Sequence, residues 1–319
     1  MRKSIYMPAR TTGIRKTDSF RYRTFVQKVI IVVIFLVGPT ASGKSEMALK
    51  IALETDGEIV SADSMQVYRG LDIGTSKLSV DERMGIPHYM IDVADPCDDY
   101  SVAEYSGAAR AVIEDILERG KQPIVCGGSG LYVHSLLYDL DFPGRPEGAD
   151  LRAQLEREAE EKGAEALFAK LLEADPEAAD HVHPNNVKRV IRALERVYCD
   201  KESGGLRDFS GTFIAPKVYE TRMIRLTADR DKLYERIERR AESFFENGLV
   251  REVHDLLNNG TPRDSNAMQG IGYKEVLELI DGKIDEKEAL RLVKQNTRRY
   301  AKRQETWFKR YTDAEIIIN

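Results

Sequence analysis

A nine-residue apolar run, VIIVVIFLV at residues 29–37, opens directly into the octapeptide Gly38-Pro39-Thr40-Ala41-Ser42-Gly43-Lys44-Ser45. That junction constrains the fold more than any other feature of the chain. Nine residues cannot cross a bilayer, which takes about 20. The basic stretch before the run raises a signal peptide as an alternative, but cleavage there would cut the octapeptide from its own strand. A β-branched run closed by a Gly-Pro turn is expected to be a parallel strand buried on both faces. The octapeptide fits GxxxxGK[ST] and stands between an expected strand and an expected helix. Its glycines let backbone N–H groups converge on phosphate oxygens, and the helix N-terminus adds its positive end. Lys44 supplies a point charge, and the Ser45 hydroxyl can ligate Mg2+. Such a cradle takes a diphosphate or triphosphate without specifying ATP. No apolar strand in the sequence ends in Asp-Asp or Asp-Glu, which argues against a mechanochemical ATPase and for a small group-transfer enzyme.

The strand–helix alternation continues. Strands are expected at 58–63, 88–93 and 123–126, the last ending in Gly127-Gly128-Ser129-Gly130. A helix starts at the Ser101/Glu104 capping box and stops at Gly120. Strands alternating with helices imply a parallel sheet flanked by helices. The pattern breaks at PGRPEG, after which residues 150–200 are helical and acid-rich. A strand returns at 222–227, and long helices follow to about residue 311. The expected organisation is a disordered basic extension at 1–28 and an α/β core from 29–141 and 215–319. An all-helical insertion occupies 142–214. With 42% hydrophobic and 32% charged residues the chain reads as globular, and a net charge of −5 confines any nucleic-acid site to a local patch. Cys97, Cys126 and Cys199 form no CxxC pair, so a reducing cytosol is the natural compartment. The five histidines have no metal-site spacing.

Three groups of residues could carry chemistry. Asp63 ends the second strand, where ligands bind in open parallel sheets, and a carboxylate there can accept a proton. It could equally be a turn aspartate. Residues 291–310 hold eight basic residues and one acid, a net +7, interleaved with Tyr300, Trp307 and Phe308. Arg291, Lys294, Arg298 and Lys302 share a helical face there, suited to phosphate contact with base stacking nearby. The alternative is a solvated helix whose aromatics face the core. Lys188, Arg189, Arg192 and Arg196 lie off an apolar stripe of Val187, Val190, Ile191 and Leu194. Arg236 and Arg240, four apart, could clamp a phosphate or serve as surface ion pairs.

The ordered blocks GPTASGKS, VSADSMQVYRGLDIGTSK, PIVCGGSGLYV, HPNNVKRVIRALE, LYERIERR, MQGIGYKE and KRQETWFKR together resemble the tRNA dimethylallyltransferase family, over about residues 30–311. The resemblance implies a P-loop NTPase-like α/β fold with an inserted helical domain that grips the tRNA anticodon stem. It implies dimethylallyl diphosphate in the cradle formed by Gly38, Pro39, Thr40, Ala41, Ser42, Gly43, Lys44 and Ser45. The exocyclic amine of adenosine 37, in tRNAs reading codons that begin with U, then displaces pyrophosphate to give isopentenyladenosine. Asp63 matches the general base, Thr40 and Ser45 the diphosphate-side hydroxyls, and Arg236 and Arg240 the pyrophosphate block. The tRNA contacts carried over are Asp63, Ser64, Met65 and Gln66, then Ser129, then Lys188, Arg189, Val190, Ile191 and Arg192. They continue with Gln269, Gly270, Ile271, Gly272, Tyr273 and Lys274, and end with Lys302, Arg303, Gln304, Trp307 and Lys309. A cytoplasmic, monomeric, Mg2+-using enzyme away from membranes is expected. Residues 1–28 have no counterpart in the family, and the zinc-finger extension of its eukaryotic members has none here. The rivals are an adenylate isopentenyltransferase, a P-loop small-molecule kinase and a non-catalytic RNA-binding protein.

Overall fold

The computed structural model describes residues 32–140, 149–199, 213 and 217–319; the extension 1–28, the start of the apolar run and PGRPEG lie outside the described residues. The apolar run becomes β1 (Val33–Val37), buried at every position. It pairs in parallel with β4 (Gln122–Gly127) on one side and β5 (Thr221–Thr227) on the other. β2 (Gly57–Ser61) and β3 (His88–Tyr89) extend the sheet beyond β4, and β6 (Glu315–Ile318) extends it beyond β5. The order β3-β2-β4-β1-β5-β6 places the cradle at the C-terminal end of a central strand.

Successive side chains of a strand face opposite sides, so a strand covered on both faces must be apolar throughout. Ile34 and Leu36 pack on Ala48, Leu49 and Ala52 of α1 (Lys44–Thr55). Val33, Phe35 and Val37 face the larger core, with Tyr105, Ile113 and Ile116 of α2 (Val102–Glu118). The Ser101/Glu104 capping box that starts α2 is fully formed. That larger core also takes Leu136 and Leu137 of α3 (Gly130–Leu137) and Phe308 of α11 (Glu286–Phe308). Phe35 is wholly buried, and its truncation to alanine would cost about 3–5 kcal/mol.

Two strand expectations need correction. The strand expected at 88–93 pairs only through Tyr89, because Met90 (φ 62°) and Asp92 (φ 59°) take left-handed backbone and carry the chain out of the sheet. β6, which pairs with β5 at the sheet edge, was not expected at all.

The acid-rich stretch forms α4 (Ala149–Lys162), α5 (Ala164–Ala174), α6 (Pro176–Asp180) and α7 (Val187–Cys199). These helices share a core of their own, with Leu155, Leu167, Leu171, Val190, Ile191 and Leu194 buried together. Arg152 closes it with a bidentate pair onto the buried Glu195 at 2.8 and 2.9 Å. After β5 come α8 (Arg230–Glu246), α9 (Leu249–Asn258), α10 (Tyr273–Ile280) and α11.

The glycines that end β4 have a packing reason. A Cβ on Gly128 would sit 2.3 Å from the Gln304 amide, and one on Gly130 would sit 2.5 Å from the Trp307 ring. Glycine at both positions lets α11 lie against the C-terminal end of the sheet. No helix among the described residues is long and apolar enough to cross a membrane.

Candidate active site and RNA-facing surfaces

A cleft of about 660 Å³ opens where β1, β2 and β4 end. Thr40, Lys44, Ser45, Asp63, Gln66, Cys126, Gly128, Arg240, Tyr300 and Gln304 are among its lining residues. Its floor is the loop after β1. Gly38 lies so close to β5 that a Cβ there would stand 2.4 Å from the Leu226 carbonyl oxygen. Gly43 caps α1 at φ 87°. Between them Ala41 holds φ 63°, a left-handed conformation that costs a non-glycine residue roughly 1–2 kcal/mol. The loop is therefore held in shape by its neighbours.

Those neighbours are identifiable. Lys44 Nζ donates to the Pro39 carbonyl at 2.7 Å, closing the loop on itself. Burial lowers the Lys44 ammonium to about 8; Arg240 pushes the same way, while Cys126 and Asp63 pull against it. Arg240 Nη1 donates to Thr40 Oγ1 at 3.3 Å. Burial also lowers the Arg240 guanidinium, and Asp63 opposes that shift. Arg236, one turn earlier on α8 and about 5.4 Å along its axis, is not among the residues that line the cleft. The pair expected to act as a clamp is thus divided: Arg240 faces the cradle and Arg236 does not.

Asp63 fits both of its sequence readings. Its Oδ1 accepts from the backbone N–H of Met65 at 2.9 Å and of Gln66 at 3.4 Å, an Asx turn that fixes the carboxylate. Its Oδ2 has no hydrogen bond among the described residues, and the side chain lines the cleft. Ser129 Oγ accepts from Ser64 N–H at 2.8 Å and donates to Ser64 Oγ at 3.0 Å, tying the Asp63 turn to the end of β4. Gln66 accepts from Ser61 Oγ at 3.0 Å and donates to the Thr75 carbonyl at 3.1 Å.

The loop beyond Thr75 forms a cleft wall that the sequence reading did not single out. Lys77 lies in that wall with its side chain 3% exposed, held by Asp72 at 2.9 Å and Asp92 at 2.5 Å. Glu252 accepts from the backbone N–H groups of Asp72, Ile73 and Gly74, and from the Tyr273 hydroxyl at 2.6 Å. Tyr273 is therefore an anchor in the core, 1% exposed. In the same block Gln269 and Lys274 are exposed, Ile271 is half-buried, and Gly270 and Gly272 are buried. Gly270 lies against Met65, where a Cβ would stand 2.6 Å from the Met65 methyl.

Ser45 sits at the mouth of the cleft in the first turn of α1. Among the described residues no group of three His, Cys, Asp or Glu side chains could hold a metal. A hydroxyl beside a phosphate cradle suits Mg2+, which keeps waters and substrate phosphates as most of its ligands.

The basic surfaces divide sharply. On α7, Lys188, Arg189 and Arg192 are exposed while Val190 and Ile191 belong to the core. On α11 the expected face of Arg291, Lys294, Arg298 and Lys302 needs correction. Arg291 pairs with Glu288 at 2.6 Å, Lys294 with Glu242 at 2.5 Å, and Arg298 with Glu238. Two of those acids belong to α8, so these cations serve helix packing. Arg299, Lys302, Arg303, Lys309 and Arg310, further along, are exposed. Trp307 is half-buried, edge-on to His134 and Phe213, with the Arg310 guanidinium 5.3 Å from its ring centre.

The IPP transferase model matches residues 66–311, and the isopentenyl transferase model matches residues 31–93. This chain belongs to the IPP transferase family. It is 49% identical over 282 residues to a tRNA dimethylallyltransferase of an Exiguobacterium species, covering 88% of both chains. It is 46% identical over 283 residues to that of Alkaliphilus metalliredigens, covering 89% of this chain and 90% of the relative. Among solved structures, the tRNA isopentenylpyrophosphate transferase of Bacillus halodurans aligns with a TM-score of 0.67 at 40% identity, over 90% of each chain. A eukaryotic dimethylallyltransferase captured acting on tRNA aligns with a TM-score of 0.72 at 28% identity, over 90% of this chain and 73% of the other.

In this IPP transferase the sheet and cradle are P-loop NTPase-like. The cleft brings together Thr40, Lys44, Ser45, Asp63, Gln66, Arg240 and Gln304 from the residues the sequence singled out. Val190, Ile191 and Tyr273 are in cores, and Gln304 is buried with both ends of its amide engaged. Lys77 and Tyr300 join the cleft without having been named for it. For Lys77 the signal was the quoted DIGTSK block; for Tyr300 it was an aromatic assigned to base stacking.

Proposed function

We propose that this IPP transferase moves the dimethylallyl group of dimethylallyl diphosphate onto the exocyclic amine of adenosine 37, in tRNAs reading codons that begin with U. The observation that carries this reading is one cleft in which the phosphate cradle, Lys44, Arg240 and the Asp63 carboxylate are brought together. The amine nitrogen forms a bond to the first allylic carbon as the carbon–oxygen bond to pyrophosphate breaks. Asp63 Oδ2 takes the amine proton. Its turn hydrogen bonds stay on Oδ1 and keep the carboxylate aimed. The electron pair leaves with pyrophosphate, whose charge Lys44, Arg240, the Thr40 hydroxyl and the cradle N–H groups stabilise. Mg2+ held by the Ser45 hydroxyl and the diphosphate oxygens would neutralise further leaving-group charge.

A base inside its stack cannot reach a carbon at the foot of this cleft, so adenosine 37 is extruded from its loop. The exposed cations of α7 and of the end of α11 face the RNA backbone, and α4–α7 serve as the module that grips the anticodon stem. The enzyme works as a cytoplasmic monomer.

One assay tests the reading. Purified protein and Mg2+ are mixed with radiolabelled dimethylallyl diphosphate and unmodified tRNA bearing adenosines at positions 36 and 37, beside AMP and ATP-only arms. Label enters tRNA alone. Label in AMP would make it an adenylate isopentenyltransferase, and ATP consumption without transfer would make it a kinase.

A further inference from the structure

Gln304 is 5% exposed, on the side of α11 turned toward the sheet, while its neighbours Lys302 and Arg303 are exposed on the other side. Its Oε1 accepts from the backbone N–H of Thr40 at 2.8 Å. Its Nε2 donates to the Gly128 carbonyl at 2.9 Å. The Thr40 N–H can only donate and the Gly128 carbonyl can only accept, so just one orientation of the amide satisfies both. One side chain thus ties the cradle, the loop after β1, to the loop after β4. Gly128 is shaped for it, because any Cβ there would strike the amide at 2.3 Å.

The bond to Thr40 falls where the cradle most needs support. Ala41, the next residue, holds left-handed backbone, and the Thr40 hydroxyl accepts from Arg240. Fixing the Thr40 peptide therefore fixes both the strained residue and the point where Arg240 meets the loop. Both ends of the amide thus have backbone partners, and the side chain lines the cleft and not the outer surface that carries the exposed cations.

We propose that Gln304 is a positioning residue of the diphosphate cradle and not a contact for the tRNA backbone. The proposal rests on the function proposed above, which supplies the diphosphate and the RNA. It assigns α11 two duties one turn apart. The exposed cations take RNA phosphates, and the buried amide sets the shape of the loop that takes the leaving group.

The test separates the two ligands by measuring each alone. Inorganic pyrophosphate and unmodified tRNA are titrated separately into wild type, Gln304→Met and Gln304→Glu, and the melting temperature of each protein is recorded. Gln304→Met keeps the bulk and removes both hydrogen bonds. Gln304→Glu keeps an acceptor for Thr40 but turns a carboxylate oxygen toward the Gly128 carbonyl and sets a negative charge behind the cradle. We expect pyrophosphate affinity to fall about tenfold in Gln304→Met and further in Gln304→Glu, with tRNA affinity within twofold of wild type in both. In transfer assays of Gln304→Met, the KM for dimethylallyl diphosphate rises about tenfold while kcat stays within threefold. Unchanged pyrophosphate affinity in both variants overturns the proposal, whether or not tRNA affinity falls. Both affinities falling together with the melting temperature overturns it in favour of a purely structural role. Wild type that binds pyrophosphate but transfers nothing to tRNA would instead remove the proposed function and leave the assignment of Gln304 to the cradle standing. Wild type that binds no pyrophosphate would remove both.

Discussion

The basic segment 291–310, carried by α11 and the residues that cap it, has a first half up to Arg298 and a second half from Arg299 that are alike in charge and opposite in use. In the first half Arg291, Lys294 and Arg298 each meet a glutamate, and through Glu242 and Glu238 two of them fasten α11 to α8. In the second half Arg299, Lys302, Lys309 and Arg310 stand exposed, and Arg303 lies 5.6 Å from the Tyr300 ring centre. A cation that already has a carboxylate partner must give it up to hold a phosphate, whereas an exposed one gives up only its counterions. Charge density therefore marks where RNA could bind, and the pairing of each charge decides where it does. Lys294 and Arg298 thus meet the helix that carries Arg240 into the cleft.

The same logic separates the cleft from the outer surface, and the largest effect tests that separation. Replacing Asp63 with Asn keeps an oxygen for the turn and removes the base. Transfer falls by roughly 10²–10⁴-fold, while tRNA affinity in a filter-binding assay stays within twofold. A matching loss of tRNA affinity would erase the division between cleft and surface. Next in size is the response to pH. Lys44 in the cleft sits at about 8, while an exposed lysine titrates near 10.4. The charged form binds pyrophosphate, so affinity is full below about pH 8 and falls as pH rises above it, by up to about tenfold per unit. Calorimetry from pH 7 to 9.5 should show pyrophosphate affinity falling there and tRNA affinity holding steady. The smallest effect belongs to the paired half of α11. Arg298→Ala loses a half-exposed ion pair worth about 0.2–1 kcal/mol in urea unfolding, with tRNA affinity within twofold.

Legibility in the sequence follows how local each signal is. β1, the cradle and α1 could be read directly, because an apolar run, a glycine pattern and an amphipathic helix are contiguous. The division of α7 into core and surface was legible too: Val190 and Ile191 fall on the apolar stripe, and Lys188, Arg189 and Arg192 fall off it. β6 was not legible, because Glu315–Ile318 is a four-residue edge strand, largely exposed, that follows a long helix. Its partner β5 lies some 90 residues away in sequence, as the Arg222–Glu315 pair shows. In the site, the spacing of Arg236 and Arg240 gave a shared face and not which turn reaches the cradle. The fates of Lys294 and Arg298 depended on glutamates 52 and 60 residues earlier. Gln304 was unreadable for the same reason: its partner Thr40 is 264 residues away.

The most direct measurement compares the salt dependence of tRNA affinity in two triple variants, one for each half of the basic segment 291–310. Each surface cation that meets a phosphate contributes about 0.7–0.9 to the slope of log K against log salt. Lys302→Ala/Arg303→Ala/Lys309→Ala should lower that slope by about 2 and weaken binding at every salt concentration. Arg291→Ala/Lys294→Ala/Arg298→Ala should leave the slope of wild type. Equal losses of slope in the two variants, or a loss confined to the first half, would contradict the account.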